Sequence, residues 1–175
     1  MIYLSSDLHL CHNNDFIWKE RGFSSVDGMN AAIIKNFNSI VKDDDILYLL
    51  GDCCMGLNED SIPLLAQLKG HKFLIIGNHD TNARIDEYYN KGIFENIQFG
   101  DRLKYKKRIF LLSHYPMLVG NASNEKVWNL HGHTHQKHKF GSIPQCYHVG
   151  VDSHDCFPIS LEKIYEEIKS NNAEN

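Results

Sequence analysis

The sequence predicts an α/β protein on three observations: short apolar runs alternating with helical patterns, the polar groups in which those runs end, and a composition suited to one domain. Runs at residues 2–6, 46–50, 73–76, 109–112 and 147–151 read as buried strands. Asp27 is placed to cap a helix whose Met29, Ile33, Phe37, Ile40 and Val41 recur near helical spacing. A second helix is expected around residues 62–68, with Pro63 tolerated in its first turn. Ser160 can cap a terminal helix carrying Leu161, Ile164, Tyr165 and Ile168 on one side. Strand and helix alternate, which is the α/β pattern.

With 175 residues, 42% apolar and 23% charged, and no repeat, low-complexity tract or linker, residues 1–175 read as a single domain. The longest clean apolar run, "ILYLL" at 46–50, is far too short to span a membrane. The first ten residues lack a basic start and reach a carboxylate at Asp7, unlike a secretory signal. The five cysteines are odd in number and Cys53 adjoins Cys54, so they form no disulfide framework. A reduced, cytoplasmic protein without a membrane partner is expected. The net charge of −4 does not favour nucleic acid as a partner. The basic cluster "DRLKYKKR" at 101–108 alternates like a strand with a wet face; a patch for an anionic substrate is the other reading.

The ends of the runs carry the chemistry. The first leads into Asp7 and His9, the second into Asp52, the third into Asn78, His79 and Asp80, and the fourth into His114. Ligands of open α/β sheets sit beyond the carboxyl ends of strands, and parallel strands would bring these ends to one rim. The stretch "NLHGHTHQKH" at 129–138 adds more imidazoles. On an extended backbone His131, His133 and His135 would share one face. Asp7, His9, Asp52, Asn78, His114 and two of these histidines make seven donors, more than one ion takes while keeping open positions. Seven donors point to two ions about 3.5–4 Å apart, the clamp used on phosphate esters. A carboxylate has two oxygens and makes the natural bridge, and Asp52 stands alone at its strand end. Mixed imidazole, carboxylate and amide donors suit Mn²⁺, Fe or Zn²⁺ better than Ca²⁺.

"DLH" at 7–9, "GD" at 51–52, "GNHD" at 77–80, "SH" at 113–114 and "GHTH" at 132–135 together resemble the ordered signature of the calcineurin-like metallophosphoesterases, with further likeness in "VGVD" at 149–152. The resemblance implies two mixed β-sheets packed as a sandwich flanked by helices, a four-layer α-β-β-α arrangement, with two divalent ions at the strand ends. Mn²⁺ is favoured, with Fe, Zn²⁺ or Ni²⁺ as the other candidates. It puts Asp7, His9, Asp52 and His135 on one ion, and Asp52, Asn78, His114 and His133 on the other. His79 would assist the leaving oxygen, and Asp80 would orient the His79 ring. The implied activity is hydrolysis of a phosphate ester by metal-bound hydroxide. A small phosphodiester is favoured because the short intervals between motifs leave little room for a cap. A nucleotide phosphomonoesterase or pyrophosphohydrolase is the alternative, and a non-catalytic scaffold of the same fold is the alternative of another class. Many members read Gly-Asp-x-x-Asp-Arg at the second motif where this chain reads "GDCCMG", so the bridging Asp52 is intact but the acidic and basic pair that follows it is absent.

Three further groups are singled out. His12, three residues past His9, and Arg21 are candidates for substrate contact. The segment "NNDFIWKERGF" at 13–23 interleaves Phe16, Trp18 and Phe23 with basic residues. Those aromatics either anchor a loop to the core or stack on a base.

Overall fold

In the computed structural model, which describes residues 1–119 and 126–174, nine strands form two mixed sheets. The first sheet contains β1 (Ile2–Ser5), β2 (Ile46–Leu49), β3 (His71–Ile75), β4 (Asn96–Gln98) and β9 (Ile159–Ser160), in the order β4-β3-β2-β1-β9. Its first four strands run parallel, and β9 closes the β1 edge antiparallel. The second sheet, β5-β6-β7-β8, contains β5 (Asp101–Tyr105), β6 (Arg108–Leu112), β7 (Val127–His131) and β8 (Cys146–His148). There β5 and β6 form an antiparallel hairpin, while β6, β7 and β8 are parallel. The alternating part of the basic cluster is therefore strand β5, with Arg102 and Lys104 exposed, while Lys106 and Lys107 form the hairpin turn and Arg108 opens β6.

The first sheet is buried on both faces, which explains why its strands read as unbroken apolar runs. Along β2, Leu47 and Leu49 turn to the helices, while Tyr48 and the following Leu50 turn to the second sheet. The same alternation sends Tyr3 one way and Leu4 the other. Phe110, Leu112, Trp128, Leu130 and Tyr147 answer from the second sheet and complete the core between the two. The helices are shared unequally. α1 (Asp15–Glu20), α2 (Val26–Ile40), α3 (Asn58–Leu65) and α4 (Asn82–Asn90) cover the first sheet, while α5 (Leu161–Glu174) feeds Leu161, Ile164 and Ile168 into the inter-sheet core. No helix among the described residues is long and apolar enough to cross a membrane.

Three helix starts refine the expectation. Ser25, two positions before Asp27, caps α2, and its Oγ accepts from the otherwise free Gly28 N at 3.1 Å. Asp27 lies in the first turn, where its charge suits the positive end of the helix. α3 starts four residues earlier than expected, at Asn58, so Pro63 falls in its second turn; the helix is short and forgoes only one bond there. Ser160 Oγ accepts from Lys163 N at 3.2 Å and starts α5 as expected.

Candidate metal and phosphoester site

Both sheets point their parallel carboxyl ends at one place. Ser6, just after β1, bridges to Gly150, just after β8, which joins the ends of the two sheets. From the first sheet come Asp7 and His9 after β1, Asp52 after β2, and Asn78, His79 and Asp80 after β3. From the second come His114 after β6, and His133 and His135 after β7. Asp7, His9, Asp52 and His114 are at most 2% exposed.

Close approach here depends on missing side chains. A Cβ on Gly77 would lie 2.2 Å from Asp52 Oδ1, and one on Gly132 would lie 2.5 Å from Asp7 Oδ2. Backbone strain marks the same groups. Asp7, His9, Asp52, His133 and His135 all hold positive φ, between 48° and 68°. Such conformations cost L-residues about 1 kcal/mol or more each and gather at functional sites.

The donors fall into two sets. Asp7, His9 and His135 have ligand atoms within 4.8 Å of one another, and so do Asp7, Asp52 and His114. Asp52 Oδ2 lies 3.9 Å from His9 Nε2 and 3.5 Å from His114 Nε2, between the two sets. Asn78 Oδ1 joins the second set, 2.8 Å from His114 Nε2 and 2.9 Å from His133 Nδ1.

The hydrogen-bond logic asks for a cation. His114 Nδ1 donates to Leu50 O, so its Nε2 presents a lone pair toward the Asn78 and Asp52 oxygens, which are also acceptors. His135 Nδ1 donates to Asp152 Oδ2 at 2.9 Å, which leaves its Nε2 lone pair facing His9 Nε2 at 3.2 Å. Asp7 Oδ2 accepts from Ser6 Oγ and His133 N, while its buried Oδ1 has no hydrogen-bond partner. An unpaired buried carboxylate oxygen facing lone pairs is costly unless a positive ion completes it. Burial raises the Asp7 carboxyl above its usual range, against the pull of nearby histidines. Burial and the neighbouring His135 and Arg21 hold His9 well below the ordinary imidazole value. Burial and His114 lower His133 as well. Only His135 is raised, through its hydrogen bond to Asp152. Neutral imidazoles beside carboxylates are the donor state that divalent ions require.

Asp80 and Arg21 differ from expectation. Asp80 does not orient His79. Its Oδ2 accepts from Asp52 N and Gly77 N, both at 2.9 Å, so it braces the second and third strand ends against each other. This supplies part of the support that "GDCCMG" lacks. Arg84 of α4 supplies more: its buried guanidinium donates to the carbonyls of Cys54, Gly56 and His79. Arg21, expected to contact substrate, has its guanidinium taken up within the protein. Its side chain is 3% exposed, holds both oxygens of Asp152 at 2.8 and 3.1 Å, and donates to the carbonyls of Asp7 and Leu8. Asp152 was missed as a site group; the only sequence signal was its place in "VGVD". Burial works to raise the Asp152 carboxyl, but the bonds from His135 and Arg21 outweigh it and hold it well below the carboxylate range.

The remaining groups sort themselves by backbone. β7 ends at His131, and the left-handed turns at His133 and His135 break the alternation, so the three rings do not share a face. His131 is buried against His148 with centroids 5.4 Å apart. His79 stands exposed at the mouth, its ring 5.5 Å from His9, and its amide donates to Asp52 Oδ1 at 2.8 Å. His12 lies beside His9 in the adjoining cleft, where substrate contact was expected.

The family model of calcineurin-like phosphoesterases matches residues 1–173. The chain belongs to that family. Family membership makes it a phosphoesterase, a hydrolase class that uses divalent metal ions, and the Asp–His cluster is where this chain can hold them. An uncharacterized protein of Methanocaldococcus jannaschii is 32% identical to this phosphoesterase, over 96% of the chain and 91% of that protein. The gene 66 protein of Mycobacterium phage L5 is 26% identical over 94% of the chain and 92% of its own length. Among solved structures, a protein of unknown function from Aquifex aeolicus superposes with a TM-score of 0.76 at 27% identity, covering 95% of this chain and 98% of that one. The matches to these relatives each cover at least 94% of the chain.

Proposed function

We propose that the protein is a dinuclear metal-dependent phosphodiesterase acting on a small phosphate ester. The observation that carries this reading is Asp52 Oδ2, within 3.9 Å of ring nitrogens from both donor sets. Asp7, His9, Asp52 and His135 would hold one divalent ion, and Asp52, Asn78, His114 and His133 the other. When bound, the pair would supply Lewis acidity and activate water at neutral pH, with Mn²⁺ the favoured ion.

The chain's own residues do the rest. Asp80 and Arg84 fix the loops that present Asp52 and His79. Asp152 and Arg21 hold His135 in the tautomer that keeps Nε2 free. The His79 ring is exposed at the mouth, where it can donate a proton to the departing alkoxide oxygen. A diester fits because no cap covers that mouth among the described residues. Every metal-ligand position of the motifs is filled, which supports this reading over a scaffold.

The metal-loaded protein should hydrolyse a generic aryl phosphodiester, with Mn²⁺ stimulating and a chelator abolishing turnover. His79→Asn should lower kcat by about 10²–10⁴-fold, the usual weight of a proton donor. Both ions should stay bound by elemental analysis; their loss would show that His79 is a ligand instead.

A further inference from the structure

The cleft beside the donor cluster has a wall that metal chemistry does not need. It encloses about 540 Å³, within the range of small-molecule sites. His79, His9 and His135 form its inner end, and Phe16, Ile17 and Met55 line its side. Phe16 is 59% exposed, an aromatic left uncovered beside a catalytic cleft, with its ring 5.5 Å from His12. Lys137 and Glu20 stand at the rim, 4.0 Å apart, offering donors and an acceptor.

The aromatic segment of the sequence divides its work. Trp18 and Phe23 pack on the core and Ile17 is buried, so they anchor α1. Phe16 is left over on the cleft side. At the end of the same helix, Arg21 is locked to Asp152, which holds His135. The wall and the donor cluster therefore share one frame, and a group stacked on Phe16 keeps a fixed distance from the reacting centre.

Resting on the phosphodiesterase reading, we infer that this cleft takes the ester's leaving group, and that this group is a nucleoside. The cleft opens beside His79, which serves the leaving oxygen, so the group attached to that oxygen lies against Phe16. A nucleobase matches the wall because it is flat and uncharged, with an edge of donors and acceptors for Lys137 and Glu20. Phe16 is the specificity-determining residue.

The test compares a dinucleoside phosphodiester with its two analogues that lack one base or the other; the ester linkage and the leaving alkoxide are unchanged. The native protein should lose about tenfold in kcat/KM when the leaving-side base is removed, the weight of one base–aromatic stack. Phe16→Ala should lose the same factor on the intact diester and nothing on that analogue, while Phe16→Trp should keep the preference. If the aryl diester is cleaved but intact and base-lacking substrates react equally, the nucleoside inference falls and the phosphodiesterase reading stands. If Phe16→Ala keeps the preference, the base binds elsewhere and the inference falls. If no diester is cleaved at all, both fall together.

Discussion

The two sheets contribute different chemistry to one site. The five-stranded sheet supplies both carboxylates, Asp7 and Asp52, and holds them through backbone: left-handed turns, the Asp80 brace onto Asp52 N, and glycines that let strand ends touch. The four-stranded sheet supplies only imidazoles, and holds its outermost one through side chains, Arg21 to Asp152 to His135. The donor carboxylates thus sit on strand ends braced by backbone contacts, while His135, the imidazole whose partner raises it, hangs on a relay of side chains. Mutations should therefore affect the two halves differently.

The largest effect should come from Asp52→Asn. It removes the charge of a carboxylate whose Oδ2 lies within 3.9 Å of ring nitrogens from both donor sets, and losing a single preorganised charge contact already costs about 10²–10³-fold in turnover. A drop of at least about 10³-fold is expected, with metal stoichiometry falling below two. In the metal-free protein the same change should stabilise, because Asp52 helps raise the Asp7 carboxyl by like-charge repulsion. Each kcal/mol relieved should lift the melting midpoint by about 2–4 °C. Unchanged stoichiometry in the variant would remove Asp52 from the bridge.

Asp152→Asn probes the other half and should act more through affinity than through chemistry. Breaking a buried ion pair by removing one partner costs about 3–5 kcal/mol of stability, since Arg21 keeps its charge with nowhere to place it. Losing the carboxylate behind a ligating imidazole weakens metal binding by about 10–100-fold. Arg21→Met separates these losses, because it leaves the Asp152–His135 bond in place. Metal titration by calorimetry, with melting as the stability readout, should show both losses in the first variant and mainly the stability loss in the second. Equal metal affinity in native protein and Asp152→Asn would refute the relay.

The donors themselves were legible in sequence. Asp7, His9, Asp52, Asn78 and His114 follow apolar strands that announce themselves, and His133 and His135 stand in a histidine-rich stretch visible without its strand. What supports them was not legible. Asp152 and Arg21 meet only through the fold, so neither could be read as the other's partner. α4 carries a weak pattern because only Arg84 and Tyr88 turn inward, and one of those is charged. β7 was hidden because buried Asn129 and His131 interrupt its apolar residues. The left-handed turns at five donors have no signature beyond the tolerance of Asp and His for that region.

The effect expected to touch turnover least separates the frame from the site. His148 ends β8 beside His131 and is fully buried, with Nδ1 against Ser153 Oγ at 2.8 Å and Nε2 without a partner. Burial, aided by the charges that His131 and His154 would carry and opposed by Asp152, pushes it down to about 3. The ring is neutral in the folded protein, while in the unfolded chain it takes a proton near its ordinary value of about 6.5. Its contribution is therefore complete above about pH 6.5 and is lost as pH falls from there toward 3, with a slope approaching 1.4 kcal/mol per unit. Urea unfolding of metal-free native protein and His148→Gln isolates it, because His9 and His133 titrate alike in both. The native protein's advantage should shrink steadily from pH 6.5 downward. A constant difference across that range would mean that the ring takes up its proton without unfolding, and that the inter-sheet corner is wetter than its burial implies.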